Sequence, residues 1–340
     1  MVAIRTRPLL IGLTALLVLV ALATLTTGPV EMSYRQVLSL LLRPDSQDTG
    51  TLIIWQIRLP RLLLAIQVGA LLALCGTLIQ GLFRNPLAEP GLIGVSSGAT
   101  LMVVIVLVLL ANLPSYLPPG LRPFLLPTVA FVGGVVATRL VMLIGRGANH
   151  SPLRLILAGV AFNLMAGAGI GLCAYLSTNE QLRTLTFWSL GSFSAAHWTA
   201  TAITAAVLVV VATFAFRQYR PLNALLLGES ECRHLGFDVP RLQRRIIYLS
   251  AAGVGAAVAF TGIIGFIGLV VPHIVRLLVG PDHRKVIPLS MVMGALLMLG
   301  ADWLAKVVLS PAELPVGIVT SLLGGPFFIY LIHRQRSTLT

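Results

Sequence analysis

Apolar residues gather along this chain into long unbroken blocks instead of alternating or recurring on a single helical face. Ten such stretches fall near residues 8–27, 60–82, 93–111, 124–144, 154–176, 198–216, 246–262, 264–280, 287–307 and 315–332. A helix that is apolar all round for roughly 20 residues is long enough to cross a hydrocarbon core about 30 Å thick. The pattern predicts an all-α membrane protein of about ten transmembrane helices, with residues 1–340 forming a single transmembrane domain. Between the seventh and eighth stretches, "AAGVGAAVAFTGIIGFIGLVVPHIV" has no polar break, so its glycines must supply the turn. The first block follows Arg5 and Arg7 as the core of a signal peptide would, but it is long for one and reads as an uncleaved first span.

The intervals between blocks differ in kind. Residues 31–50, "EMSYRQVLSLLLRPDSQDTG", suit a short amphipathic surface helix, whereas 112–123, "NLPSYLPPGLRP", are too rich in proline to be helical. Residues 177–197, "STNEQLRTLTFWSLGSFSAAH", are too polar for a span and suit a short helix at the outer mouth. The one sizeable cytosolic segment is 217–245, "RQYRPLNALLLGESECRHLGFDVPRLQRR", where an apolar patch of Leu222, Leu225, Leu226 and Leu227 precedes "GESECRHLG". Such a segment suits a socket in a partner protein, and the alternative is a basic loop held near anionic lipid.

Composition agrees with the pattern. Of 340 residues, 57% are hydrophobic and only 10% charged, too few charges to wet the surface of a soluble protein of this size. The net charge of +13 comes from 24 Lys+Arg against 11 Asp+Glu, and Lys285 and Lys306 are the only lysines. In a soluble chain that excess would suggest nucleic acid, but here it reads as topology signal and lipid contact. With the N-terminus in the cytosol, fifteen of the basic residues fall on the cytosolic side. Seven fall outside, Arg35, Arg43, Arg58, Arg61, Arg122, Arg183 and Lys306, and both termini are then cytosolic. Arg58 and Arg61, beside the second span in "IRLPR", are exceptions that need a reason, and snorkelling to lipid phosphate is one.

Candidate chemistry is sparse. Cys75, Cys173 and Cys232 share no short spacing and the six histidines form no H-x3-H pair, so neither a disulfide framework nor a metal site is expected. No cofactor is expected on the chain itself. Neither lysine lies in a G-x4-G-K-[ST] loop, so there is no phosphate cradle and any ATP must be hydrolysed by a partner. Asp302 and Glu313 raise the idea of a proton relay, but an interhelical hydrogen bond for Asp302 and a cap or ion pair for Glu313 is the stronger reading. His273 reads as a packed, hydrogen-bonded histidine, and no nucleophile stands at a suitable spacing from a base.

Four stretches together carry a resemblance. "IRLPR", "RNPLAEPGLIGVSSGA" (84–99), "GFIGLVVPHIVRLLVGPDHRKVIPLS" (265–290) and "ADWLAKVVLSPAELPVGIVTSLLGGPFFIYLI" (301–332) resemble the permease subunits of type II ABC importers for iron siderophores, haem and vitamin B12, and the likeness runs from Trp55 to Ile332. The resemblance implies ten helices per subunit and a homodimer in the bacterial inner membrane, with the path along its two-fold axis. It also implies two ATPase subunits using ATP and Mg on the cytosolic side and a periplasmic binding protein that delivers substrate. Arg58 and Arg61 of "RLPR" and Lys306 of "ADWLAK" would dock carboxylates of the binding protein. "LLLGESECRHLG" would couple to the ATPase through Leu226, Gly228, Glu229, Arg233 and Gly236, although Glu231 and Cys232 stand where the family is often rich in alanine.

Asn85 and Leu87 would form one cytosolic constriction, and Ser151, Pro152 and Leu153 another. The substrate path would run past Met165, Tyr175, Arg183, Phe187, Trp188 and Phe193. Aromatic and methionine walls with an arginine suit a broad planar ligand bearing propionates, and "RTLTFWSLGSFSAAHW" looks most like the haem branch. Haem is therefore the expected substrate, followed by a ferric siderophore and then cobalamin, and an ion-coupled secondary transporter is the rival of another class.

Overall fold

Each of the ten apolar stretches forms a helix in the computed structural model, which describes residues 6–42, 48–145, 152–310 and 312–336. In chain order the helices are α1 (Thr6–Thr26), α2 (Tyr34–Leu42), α3 (Thr49–Leu52), α4 (Leu59–Phe83), α5 (Val95–Val108), α6 (Arg122–Ile144), α7 (Pro152–Leu176), α8 (Asn179–Ser189), α9 (Trp198–Arg217), α10 (Tyr219–Leu225), α11 (Glu229–His234), α12 (Val239–Thr261), α13 (Ile267–Val279), α14 (His283–Val307) and α15 (Val316–Arg336). The expected spans are α1, α4, α5, α6, α7, α9, α12, α13, α14 and α15. Among the described residues six helical runs are long and apolar enough to cross a membrane, while α5, α13 and the first part of α15 are shorter apolar helices.

Three boundaries differ from the sequence pattern. α12 starts at Val239, inside the stretch expected to be a cytosolic segment, because the Asp238 carboxylate caps it by accepting from Arg241 N–H and Pro240 occupies its first turn. Backbone capping overrides the basic composition there. The proline-rich 112–123 interval contains a short 3-10 turn, Leu113–Tyr116, since proline is compatible with the first turn of a helix. Between α12 and α13 the chain reverses at Gly262, as the glycine content requires, but Phe266 also adopts a left-handed conformation (φ 69°). The expected surface helices are present: α2 buries Val37, and α8 opens with a capping box between Thr178 and Gln181.

α4 is the axis of the subunit. Of its apolar window 83% is buried inside the protein, against 11% for α1 and 22% for α7. Its neighbours are α14, α12, α13 and α9, with α5 and α6 packed on each other and on α12. Lipid chains are as apolar as leucine, so close packing rather than water exclusion must join these helices. Glycine makes it possible. A Cβ placed on Gly69 would collide with the carbonyl oxygen of Gly294 in α14, and one on Gly294 with that of Gly69. One turn pair further on, a Cβ on Gly76 would collide with the carbonyl oxygen of Gly268 in α13. Gly98 and Gly133 bring α5 and α6 together in the same way.

All four tryptophans lie at one end of the bundle, where α4 begins. Trp55 Nε1 donates to Leu40 O (3.2 Å), Trp198 Nε1 to Trp55 O (2.8 Å) and Trp303 Nε1 to Thr27 Oγ1 (3.0 Å). This is the distal end, the one expected to face outward, and its ring of indoles has the character of a membrane-interface belt.

Because the α4 contacts are backbone to backbone, a single methyl group should separate the helices. Gly76→Ala is expected to destabilise the protein by about 2 kcal/mol or more. Gly12→Ala on α1, where a Cβ has nothing within 4 Å, should be neutral or slightly stabilising. Thermal unfolding of the two variants in detergent checks the contrast.

Candidate functional site

At the distal end the three cations expected to dock a partner are turned inward. Arg58 closes a short π-helical turn, Ile53–Arg58, and is buried; its guanidinium donates to the carbonyl oxygens of Leu25 and Val30, latching the segment after α1 onto the start of α4. Arg61, one turn later, grips two acids. Its Nε and Nη2 reach Asp302 of α14 (Nη2 to Oδ1 2.9 Å), and its Nη1 reaches Glu313 (2.7 Å). Lys306 Nζ lies 2.8 Å from the other Asp302 oxygen. Two cations and two anions thus balance in one cluster, and only Glu313, with about a third of its side chain exposed (35%), meets solvent substantially. The pairing accounts for the burial of two of these cations: Asp302 sits four residues before Lys306 on one helical face, and Arg61 faces both Asp302 and Glu313.

His273 is buried as expected, but among the described residues no hydrogen bond forms at its ring. Also among the described residues, no cluster of three or more His, Cys, Asp or Glu side chains could hold a metal.

At the proximal end lies the segment expected to couple to a partner. Leu222 and Leu225 are buried against the bundle, so they anchor the segment, and the apolar surface left for a partner is Leu226 (40% exposed) and Leu227 (69%). Gly228 and Gly236 take positive φ at either end of α11, which lets that helix turn out and back. Glu229 pairs with Arg233 (3.4 Å) and approaches Arg84 at the end of α4 (4.0 Å). Cys232 is buried beneath Pro221. A tether not visible in the sequence holds α10 in place: Asn223 donates to Asp282 (2.7 Å) and accepts from His283 N–H (2.9 Å), joining it to the start of α14.

The loop after α4 is folded around Asn85. Its side chain accepts from Leu87 N–H (2.9 Å) and its carbonyl from Ala88 N–H (3.1 Å), which leaves Asn85 and Leu87 exposed at the tip. Leu153, in the first turn of α7, is also exposed (62%), and Pro152 begins that helix; Ser151 lies outside the described residues. α7 is joined to α5 and to the turn before it by contacts that the sequence reading missed. Asn163 of α7 hydrogen-bonds Ser97 of α5 and donates to Gly91 O (3.2 Å), and Gly159 lies directly against Leu92 O. A second missed group is Arg276 of α13, which donates to Gln80 and to Thr77 O (3.2 Å), while Gln80 donates to Leu269 O (2.9 Å). Both could have been found as polar side chains inside apolar helices.

The expected path residues separate into three groups. Glu180, Arg183, Phe187 and Trp188 of α8 line one distal cavity of about 550 Å³, together with Phe260 and Gly262. Arg183 lies over the Phe187 ring, 5.7 Å from its centroid. Met165 (73%) and Tyr175 (86%) project from the exposed face of α7. Phe193 is instead buried at 1% exposure, folded into the core by the left-handed turn at Gly191, so it forms no part of the wall.

A polytopic helical bundle with a half-exposed α7 wall, a distal mouth and a proximal coupling segment defines a membrane transport subunit. Residues 16–334 match the FecCD transport family, and the chain belongs to it. It is 43% identical over 334 residues to the hemin transport system permease protein HmuU of Yersinia pestis, covering 98% of each chain. It is 41% identical to the vitamin B12 import system permease protein BtuC of Klebsiella pneumoniae, covering 98% of this chain and 95% of that one. Among solved structures, an inward-facing metal-chelate type ABC transporter superposes with a TM-score of 0.84 at 34% identity, covering 96% of this chain and 99% of the other.

Removing one partner of the distal cluster leaves buried charge uncompensated. Asp302→Asn is expected to cost about 3 to 5 kcal/mol of stability, with part restored in Asp302→Asn/Lys306→Met, as thermal unfolding of both variants would show.

In the loop after α4, burial raises the Glu89 carboxyl above the ordinary carboxylate range, opposed by the hydrogen bond from Phe266 N–H. The folded state therefore holds this proton more tightly than the unfolded one, and stability falls as pH rises from about 4.3 through the folded value. Glu89→Gln should raise the melting temperature at pH 7 to 8, with the gain vanishing below about pH 4.

Proposed function

We propose that two copies of this chain form the haem path of an ATP-driven importer in the bacterial cytoplasmic membrane, with both termini in the cytosol. The observation that carries this reading is the exposed face of α7. Leu157, Leu164, Gly167, Ala168, Gly171, Leu172 and Tyr175 make one continuous strip of apolar and small residues. At Gly167 and Gly171 a Cβ would have nothing within 4 Å, so small residues four apart are presented outward, as a close helix pairing requires. Leu322 and Leu323 of α15 are similarly exposed and would flank the path.

Haem fits the chemistry of the wall and mouth. A flat macrocycle lies against methionine and aromatic surfaces such as Met165, Phe187 and Trp188, and a propionate pairs with the guanidinium of Arg183. The full-length likeness to a permease named for hemin supports the same choice. Cobalamin is the second reading, since the Klebsiella relative named for vitamin B12 is nearly as similar.

No covalent chemistry is performed by this subunit. A separate ATPase engages Leu226, Leu227, Glu229 and Arg233, and ATP with Mg acts there. A periplasmic binding protein docks at the distal end. Arg61 and Lys306 take part in that docking by exchanging their internal partners for carboxylates of the binding protein, with Glu313, the most exposed member of the cluster, released first. Nucleotide drives the cycle because it binds the inward- and outward-open states with different affinity.

Reconstitution tests the whole reading. Proteoliposomes holding this chain with its ATPase should take up haem in the presence of ATP and not in its absence. Uptake of a ferric siderophore or cobalamin in place of haem would overturn the substrate, and haem uptake by the chain alone under an ion gradient would overturn the mechanism.

A further inference from the structure

A cavity of about 950 Å³ is at the proximal end between the last turns of α9 and the first turns of α12. It is not part of the path or of the coupling contacts described above. Five arginines line it, Arg217, Arg220, Arg241, Arg244 and Arg245, and no carboxylate does. Among the described residues only Arg241 is ion-paired, with Asp238 at 2.8 Å on the rim. The other four have no acid among the described residues within salt-bridge distance, although Arg217 stacks over Phe214 and Arg220 over Tyr219.

The cavity is amphiphilic along its depth. Arg217 is the last residue of α9, and Val210, seven residues back, is roughly 10 Å deeper in the bundle. Leu249 is likewise about 6 Å deeper than Arg245 along α12. Val210 and Phe214 are half exposed on the apolar span α9. At the boundary, the Tyr248 hydroxyl is hydrogen-bonded by Arg139 of α6 (3.2 Å), adding a sixth guanidinium beside the cavity. A cationic floor at the water boundary, joined to an open apolar wall at membrane depth, is complementary to one kind of molecule: an amphiphile with an anionic head.

We propose that this cavity binds an anionic phospholipid of the adjacent leaflet, its phosphate held by Arg217, Arg244 and Arg245 and its acyl chain laid along Val210 and Phe214. The volume suits a phosphodiester head with the first chain carbons. The site positions α9 and α12, the two helices that bracket the coupling segment, against the membrane surface.

The test uses the full chain, purified and delipidated in neutral detergent, then titrated with phosphatidylglycerol, phosphatidylcholine or inorganic phosphate. Thermal unfolding and native mass spectrometry report binding. Phosphatidylglycerol should bind and stabilise, and phosphatidylcholine should not. The triple variant Arg217→Gln/Arg244→Gln/Arg245→Gln should bind phosphatidylglycerol on the order of a hundred-fold more weakly, and the corresponding lysine triple should retain most of the affinity.

A second readout does not depend on the triple variant folding. In Phe214→Trp, brominated phosphatidylglycerol should quench the new indole in preference to brominated phosphatidylcholine, the native tryptophans being at the distal end. Equal protection by inorganic phosphate, or equal quenching by the two lipids, would overturn the proposal. So would a glutamine triple that keeps its lipid affinity but no longer co-purifies with the ATPase, a result that would assign the cavity to the protein partner.

Discussion

The structure depends on how closely backbones can approach where no water is present to drive them together. At Gly69 with Gly294 and at Gly76 with Gly268, α4 touches α14 and α13 through main-chain atoms, and no other residue type would allow it. Dispersion between surfaces in such contact replaces the hydrophobic effect that would assemble a soluble core. Once α4 is fixed by these contacts, α12 and α9 fill its remaining sides, and the more exposed α1, α7 and α15 are left at the periphery.

Charge is handled by a different rule at the two ends. The distal end buries cations and balances them, Arg61 and Lys306 against Asp302 and Glu313, and Arg58 against carbonyl oxygens. The proximal end leaves cations exposed and unbalanced along α9 and α12. A balanced buried cluster fixes geometry and projects little field, whereas an unbalanced exposed one attracts anions over about a Debye length. The same residue type therefore performs opposite tasks at opposite ends of one bundle.

Most of the fold was legible because a bilayer permits so few solutions. Ten apolar blocks gave ten helices, the polar 177–197 interval held α8, and the resemblance in "RNPLAEP" and "ADWLAK" led to the family. The sites were less legible, since their meaning depends on what each side chain faces. Arg58 and Arg61 read as outward charges until the carbonyl oxygens of Leu25 and Val30 are brought against the first and Asp302, distant in sequence, against the second. Phe193 read as a wall residue because nothing local tells that Gly191 turns it into the core. The (i,i+4) spacing of Asp302 and Lys306 was the one local signal of the distal pairing, and Asn163 and Gln80, isolated polar groups in apolar helices, marked contacts that only the packing identifies.

α14 begins at the tether to the coupling segment, where Asp282 and His283 hold Asn223, and ends in the charge cluster with Asp302 and Lys306. Its 25 residues make a rod about 37 Å long, and its internal proline, Pro288, lies near the proximal end so that the remaining turns are uninterrupted. The two ends of the subunit are thus one piece of mechanical hardware. A tilt of a few degrees imposed at the tether moves the far end of the rod by about 2 to 3 Å, comparable to the length of the ion pairs there. Whatever grips α10 from one side of the membrane already has leverage on the clasp at the other, with no chain of intermediate contacts to traverse.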